Sequence, residues 1–328
     1  VLFRSYPYPY IYLNHQIVAP AQTSLYGEEL WVYDIAASMP LSKTTPIVYT
    51  DADGQKVTIK LTGAGTGTLW FKALATSNVD ADLLEIQGTT ATSAITVTIA
   101  NKGTTTLRAI TINGALNKLT APGLTIANNF SINSSAKSIT LAGASGEVNL
   151  GPALNPAKDK AKLALGVVAE LNINSQQPID SLKVIDWQDN DAFTDVIVAP
   201  WINTLTVTGR KAKGAVTALA GDFEANIALG GTDDVKKNAL NTVTIAGAIR
   251  GSEWGITGSV GKITAASMQS SLIFLGRSFG AIAASSSLGS LTLKPVKGSN
   301  DPTFVASTDR KSTRLNSSHS SVSRMPSS

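Results

Sequence analysis

Short runs of alternating apolar and polar residues recur along most of the chain. In the clearest part a central apolar residue is followed by Thr or Ala and then by further small or apolar residues, and the run occurs at 240–245, 260–265 and 279–283. Its central residues, Val243, Ile263 and Ile282, follow one another at a nearly constant interval. A period of about 20 residues in a chain rich in Thr, Val, Ile and Gly is typical of a β-solenoid.

The alternation within each run predicts a strand with one buried face, and Thr suits the exposed positions of such a strand. A single short strand cannot bury its apolar face, whereas coils stacked about 4.8 Å apart can. We therefore predict an all-β fold over residues 46–308, namely a right-handed parallel β-helix or β-solenoid with irregular coils of about 20 residues. Tandem β-sandwich domains are the alternative, although such domains repeat at about 100 residues.

Two intervals between strand runs are longer than the others, from Ile139 to Leu171 and from Leu205 to Val243, and they predict loop insertions. Pro156–Val168, in which Lys and Ala abound, is the best candidate for a short helix. At about 20 residues per coil, the region has room for about ten to twelve coils.

Residues 46–83 predict a hairpin that caps the solenoid. Its strands are Ile47–Thr50 and Lys56–Leu61, and the turn between them ends in Asp53-Gly54, a strong turn signal. Asp51 and Asp53 are also spaced like the oxygen ligands of a calcium loop, although the distal Glu of a helix–loop–helix calcium site is missing. A turn is the first interpretation, and a turn that binds calcium through Asp51 and Asp53 is the second.

Both ends of the chain look like translated sequencing adapters. Plausible codons for Val1–Ser5, read on the opposite strand, encode Asp309–Ser312 and the start of Thr313. We therefore expect residues 1–5 and 309–328 to be artefacts, with a disordered tail. Residues 6–45, which contain six of the seven Tyr, predict a linker or the end of a preceding region.

Charge and composition exclude several classes of function. The two ends hold five of the 27 basic and one of the 23 acidic residues, so the rest has 22 of each and offers no basic surface for nucleic acid. The chain has no Cys, and residues 41–308 have no His, which excludes Cys-His and Ser-His-Asp catalysis and ordinary zinc sites there. No apolar run approaches the roughly 20 residues that span a membrane.

The densest candidate chemistry lies in the ten residues that begin with Asp186, where four carboxylates and two aromatic rings occur. Asp186, Asp189 and Asp191 offer oxygen ligands that suit calcium, and Trp187 could stack on a sugar ring. Arg210 follows in the next predicted coil. If stacking brings Arg210 to the same face, the result is a calcium–carboxylate groove with a basic residue, as β-helical polysaccharide lyases use. An exposed polar loop is the other interpretation.

Five longer phrases stand out, namely TDADGQKVT at 50–58, GAGTG at 63–67, APWI at 199–202, LAGDF at 219–223 and WGITGSVG at 254–261. Together they resemble large secreted repeat proteins of planctomycete-type bacteria. The resemblance implies a β-helical surface or extracellular region of a longer chain, and it brings no catalytic residues with it.

These patterns predict a non-catalytic structural or adhesive segment of a secreted or cell-surface bacterial protein. A carbohydrate-binding or polysaccharide-lyase-like β-helix is the alternative. The expected partners are an extracellular polysaccharide or another cell-surface protein, without nucleic acid and without a membrane span. We expect no required cofactor, although the carboxylates would suit a calcium ion.

Overall fold

The computed structural model describes residues 11–13, 16–23, 27–34, 37–71, 80–191, 193–214, 216–231, 238–278, 281–282, 286–294 and 304–305. The predicted adapter-derived ends, 1–5 and 309–328, lie outside these residues. In the described part the backbone is mostly strand, with tight corners and a 3-10 turn at Ala100–Lys102. This part contains no helix with the length and apolarity needed to cross a bilayer.

A small antiparallel sheet comes first in the chain. It consists of β1 (Ile11–Leu13), β2 (Gln16–Thr23) and β3 (Gly27–Asp34), with β2 in the middle. This sheet occupies much of the stretch 6–45, for which the sequence predicts a linker or the end of a preceding region.

An antiparallel cap follows. Its strands are β4 (Ser38–Ser42), β5 (Ile47–Thr50), β6 (Lys56–Thr62), β7 (Thr66–Phe71), β8 (Ala81–Thr89) and β9 (Ala94–Ile99). β5 pairs with β6, which confirms the predicted hairpin, while β6 also pairs with β9, and β7 lies between β4 and β8. Antiparallel pairing thus extends from Ser38 to Ile99, beyond the predicted 46–83.

The remaining strands wind through successive coils. In chain order they are β10 (Thr105–Gly114), β11 (Leu116–Ile132), β12 (Ala136–Leu150), β13 (Ala161–Ala164), β14 (Val167–Ser175), β15 (Ile179–Val184), β16 (Asp186–Gln188), β17 (Val196–Ala199), β18 (Ile202–Val207), β19 (Asn226–Leu229), β20 (Leu240–Ile245), β21 (Ala248–Arg250), β22 (Glu253–Ile256), β23 (Val260–Ala265), β24 (Ser267–Gln269), β25 (Leu272–Leu275), β26 (Arg277–Ser278), β27 (Ala281–Ile282), β28 (Leu288–Leu293) and β29 (Phe304–Val305). Long strands such as β11 and β12 pass around a corner and contribute to more than one column of strands.

Successive coils pair in parallel, which confirms the predicted all-β solenoid, and the stack has about 8 turns. Three columns of strands each place one apolar residue per coil above its counterpart. The first ladder is Ile95, Leu119, Ile139, Leu163, Leu182, Leu205, Val243, Ile263 and Leu291. The second is Leu107, Ile126, Ala144, Val168, Trp187, Phe223, Ile249 and Met268. The third is Leu84, Ile110, Phe130, Val148, Ile173, Ile197, Ile227, Trp254 and Ile273.

These ladders form the core. Nearly all of their members are buried, and each buried Leu, Ile or Val contributes about 1.5–3 kcal/mol relative to an exposed position. The last member of the first ladder, Leu291, is 40% exposed because no described strand covers its far side. The parallel pairing of each coil with the next excludes tandem β-sandwiches, which are built from antiparallel sheets. The right-handed sense of the coil stays a prediction.

Coil length varies more than the sequence pattern suggests. On the first column the shortest coil runs from Leu163 to Leu182, and the longest runs from Leu205 to Val243. The predicted insertion between Leu205 and Val243 is therefore confirmed. The prediction of ten to twelve coils is wrong, because such insertions use residues without adding a rung, and about 8 turns result.

The predicted helix at Pro156–Val168 is wrong. The stretch is a loop followed by β13 and the first residues of β14. Leu163 belongs to the first ladder and Val168 to the second. Lys and Ala favour a helix by intrinsic propensity, but here backbone pairing with the neighbouring coils decides the local structure.

The third repeat of the clearest pattern is also placed differently. Ile282 pairs antiparallel with Arg277 in the small hairpin of β26 and β27. Leu291, further along the chain, takes the position beside Ile263 instead. The spacing from Ile263 to Ile282 equals that of a short coil, so spacing alone does not distinguish a rung from a hairpin inserted between rungs.

The side chain of Gln177 takes the place of a neighbouring strand beside Ala136. Gln177 is fully buried, its Nε2 donates to the Ala136 carbonyl at 2.9 Å, and its Oε1 accepts from the Ala136 amide at 3.2 Å. The amide group therefore pairs with Ala136 as a neighbouring strand would. This contact closes the gap that the loop before β13 leaves in the coil.

Ile263→Asp is expected to lower the free energy of unfolding by more than about 3 kcal/mol, because it buries an unpaired charge in the first ladder. Lys262→Asp, at the exposed position just before Ile263, is the matched control. We expect it to change the free energy of unfolding by less than about 0.5 kcal/mol. Denaturant unfolding checks both. An unchanged midpoint for Ile263→Asp would show that Ile263 does not face the core.

Gln177→Met keeps the shape of the side chain and removes both hydrogen bonds to Ala136. Because the Ala136 amide and carbonyl then stay buried without partners, we expect a loss of about 2–4 kcal/mol in unfolding free energy. Gln176→Met, at the exposed neighbouring position, is the control. Equal stability of the two variants in urea unfolding would contradict the role of Gln177.

Candidate functional site

Asp186, predicted to bind a ligand, instead makes hydrogen bonds within the fold. Its Oδ1 accepts from the amides of Gly221 at 2.9 Å and Asp222 at 2.8 Å, and its Oδ2 accepts from Gln188 at 2.8 Å. It is also buried. Asp186 therefore holds the end of the insertion that precedes β19 and is not available to a ligand.

Trp187 cannot act as the predicted sugar platform, because its ring is fully buried in the second ladder. It contacts Phe223 edge-on at 5.5 Å between ring centroids, and Phe223 contacts Trp254 in the same way at 5.9 Å. The Trp187 Nε1 donates to Asp195 Oδ2 at 2.7 Å. The ring is part of an aromatic core, and its polar atom anchors the loop before β17.

Arg210 lies away from the predicted carboxylates. It belongs to a short hairpin of the insertion after β18, where it pairs with Leu219, and its Nε donates to the Thr217 carbonyl at 3.0 Å. This insertion leaves the coil at the corner between the first and second columns. Asp189 follows β16 at the opposite end of the second column, so the predicted groove with Arg210 is not assembled.

A different acidic group forms at that opposite corner, where β14 and the loop after β16 meet. Oxygen atoms of Glu170, Asp189 and Asp191 all lie within 4.8 Å of one another. Glu170 turns the chain there with a φ of 52°, in the left-handed region, and its Oε1 accepts from the Asn190 amide at 2.6 Å. We call Glu170, Asp189 and Asp191 the corner cluster.

Two oxygen atoms of the corner cluster, Glu170 Oε2 and Asp189 Oδ1, are buried and have no hydrogen-bond partner. Three mutually close carboxylates repel one another, and a bound cation would relieve that repulsion. Hard oxygen ligands of this kind suit calcium, with water and backbone oxygens completing the coordination. The corner cluster is therefore a candidate site for a metal ion.

Asp195 lies beside the corner cluster, and the negative charge of the cluster affects the pKa of the Asp195 carboxyl. Its burial, and then the negative charges of Asp189 and Glu170, raise the pKa of its carboxyl to about 6. Hydrogen bonds from the Leu171 amide and the Trp187 indole act in the opposite direction.

Asp51 and Asp53, the other pair predicted to bind calcium, lie in different environments. Asp51 is fully buried, and its Oδ1 accepts from the Gln55 amide at 2.7 Å, which stabilises the turn. Gly54 completes this turn with a φ of 77°. Asp53 is exposed at the tip. The predicted turn is confirmed, and Asp53 does not share the buried position of Asp51.

Comparisons with protein-family models, with curated proteins and with solved structures find no match. The resemblance to planctomycete-type repeat proteins therefore stays an expectation.

Glu170 is the member of the corner cluster that sequence reasoning missed. It precedes Asp189 by one coil, and only the register Val168↔Trp187 brings the two together. Once the length of this coil is known, the sequence signal that identifies Glu170 is an acidic residue placed one coil before an acidic loop.

The raised pKa of Asp195 predicts a pH dependence. An acid whose pKa is higher in the folded chain than the unfolded value of about 3.9 binds its proton more readily when folded. In chelator, the free energy of unfolding should therefore fall as pH rises from about 4 to about 6 and then level off.

Asp195→Asn should flatten this dependence while its amide oxygen still accepts from Trp187. Calcium at the corner cluster would oppose the charges of Asp189 and Glu170 and move the fall to lower pH. Urea unfolding between pH 3.5 and 7.5, with and without calcium, checks these expectations. A rise in stability across this range that Asp195→Asn removes would contradict them.

Proposed function

We propose that the chain is a non-catalytic structural segment of a secreted or cell-surface protein, and that its solenoid serves as a stiff spacer. The observation that supports this role is the continuity of the three ladders, which run from the cap to the last described coils. Because every coil is hydrogen-bonded to the next in three columns, stretching the solenoid along its axis must break many backbone hydrogen bonds together.

The outer surface supports a role in contact with water or extracellular polysaccharide. Uncharged polar side chains stack there in register, such as Thr206, Thr244, Thr264 and Thr292 along the first column. On the third column, Asn174 donates to Asn149 at 3.4 Å, and Asn149 donates to Asn129 at 3.5 Å. These columns present hydroxyl and amide groups along the axis, which suits weak, repeated contacts of an adhesive kind.

The carbohydrate-lyase alternative lacks its predicted constellation. Asp186 and Trp187 are used inside the fold, and Arg210 lies at another corner from Asp189 and Asp191. A depression of about 210 Å³ on the cap is lined by Thr66, Thr68, Glu85, Gln87 and Asn113, among others. Glu85 is the one ionisable residue of that lining and accepts from the Trp70 indole at 2.9 Å, so no acid–base pair faces this depression.

The spacer role predicts stepwise yielding under load. When the chain is pulled between handles at Ser38 and Lys294, coils should detach one after another from the last coil toward the cap. Detachment of the shortest and of the longest coil should release about 65 Å and about 130 Å of extended chain, respectively. Single-molecule force measurements read these steps directly.

A single low-force event that extends the whole solenoid would contradict the spacer role. Turnover would contradict its non-catalytic character: calcium-dependent release of unsaturated product from acidic polysaccharides, lost in Asp189→Ala and kept in Glu253→Ala, would establish the lyase alternative. Glu253 is exposed and lies outside the corner cluster, which makes it the matched control.

A further inference from the structure

A second group of oxygen atoms is gathered inside the cap, where the β5–β6 turn meets the starts of β8 and β10. It contains Asp51 from the turn, Asp80 just before β8, Thr105 at the start of β10 and Tyr49 from β5. The Ala52 amide donates to Asp80 Oδ1 at 3.3 Å, which fixes Asp80 against the turn. Three separate segments of chain therefore converge here.

Asp51 has only half of its carboxylate satisfied. Its Oδ1 accepts from Gln55, whereas its Oδ2 is buried without a hydrogen-bond partner. The residue is 0% exposed, so bulk water does not reach it. A buried carboxylate oxygen without a partner is costly, which makes a missing ligand the natural explanation.

The surroundings of Asp51 are oxygen-rich and negatively charged. Burial raises the pKa of the Tyr49 phenol, and the negative charges of Asp51 and Asp80 raise it further. The Thr105 hydroxyl lies beside the Tyr49 hydroxyl, is itself buried and has no hydrogen bond of ordinary geometry. Two carboxylates and nearby hydroxyls match the charge and the hard-oxygen preference of a divalent cation.

We propose that Asp51 Oδ2, Asp80 and the Thr105 hydroxyl hold one divalent cation of the calcium class inside the cap. Calcium fits better than magnesium because it accepts ligands in irregular arrangements from separate segments, whereas magnesium demands a near-octahedral set. The cation joins the turn to the first strands that carry parallel coils. Calcium then controls how firmly the cap closes the solenoid, independently of the spacer role.

The sequence-based pairing of Asp51 with Asp53 supplies the matched control. Asp53 has the same side chain in the same turn and is exposed, so Asp53→Asn changes the charge of the turn without touching the buried oxygen. Asp51→Asn keeps an oxygen for the Gln55 amide and replaces the unpartnered oxygen by an amide nitrogen. Asp80→Asn likewise keeps an acceptor for the Ala52 amide and is the second test variant.

The titration is made with calcium chloride in a protein that carries Asp189→Asn, which removes one ligand of the corner cluster. One calcium is expected to bind per chain, and Asp51→Asn or Asp80→Asn should weaken it by at least about tenfold. Asp53→Asn should change the affinity by less than about twofold. Calcium should also raise the unfolding temperature of the parent protein and of Asp53→Asn, but not that of Asp51→Asn.

The opposite results would overturn the proposal. If no calcium binds, or if Asp51→Asn binds calcium as the parent does, Asp51 is not a ligand of a cation and the proposal is wrong. A variant that fails to fold is replaced by Asp80→Asn, whose exposed side chain tolerates the change. None of these outcomes bears on stepwise yielding, so this proposal and the spacer role fail separately.

Discussion

Parallel backbone hydrogen bonding between neighbouring coils constrains everything else in this chain. Once one coil is in register with the next, residues with equal positions in the coil must lie above one another about 4.8 Å apart. The interior then has room for one apolar side chain per column and coil, which is why Leu, Ile or Val occupies every rung of the first ladder. Trp187 and Phe223 of the second ladder and Trp254 of the third make successive edge-on contacts across the interior.

Insertions are tolerated because they leave the coil at corners and because polar side chains repair the gaps. Gln177 pairs with both backbone groups of Ala136, and Asp186 receives two amides from the far end of a long insertion. Both residues are buried and fully partnered, so each offsets a break in backbone pairing. The buried oxygens of Gln177 and Asp186 are thus all hydrogen-bonded, whereas Glu170, Asp189 and Asp51 each keep one buried oxygen without a partner.

The sequence predicts the fold better than the candidate sites. Alternation around Val243 and Ile263 identifies strands and coil register correctly, since burial of one face leaves a two-residue period. Ile282 misleads because apolar spacing does not reveal where a chain forms a small hairpin. Pro156–Val168 misleads because strand pairing with the neighbouring coils overrides the helix propensity of Lys and Ala. Trp187 misleads for another reason. Aromatic residues beside acids suggest a ligand surface, but pairing with Val168 places the Trp187 ring in the core, while Asp191 lies beyond the end of β16 and is exposed. Glu170 could not be joined to Asp189 before the length of that coil was known.

The cap at the beginning of the stack has a consequence for how the chain can fold. Each rung of the first column finds its partner in the coil just before it, whether that coil is short or carries an insertion. A chain that emerges in order from the ribosome or through a pore can thus complete the cap, and each new coil then finds a finished template. Folding of this kind advances like a zipper from one end, and it needs no contact between the beginning and the end of the sequence.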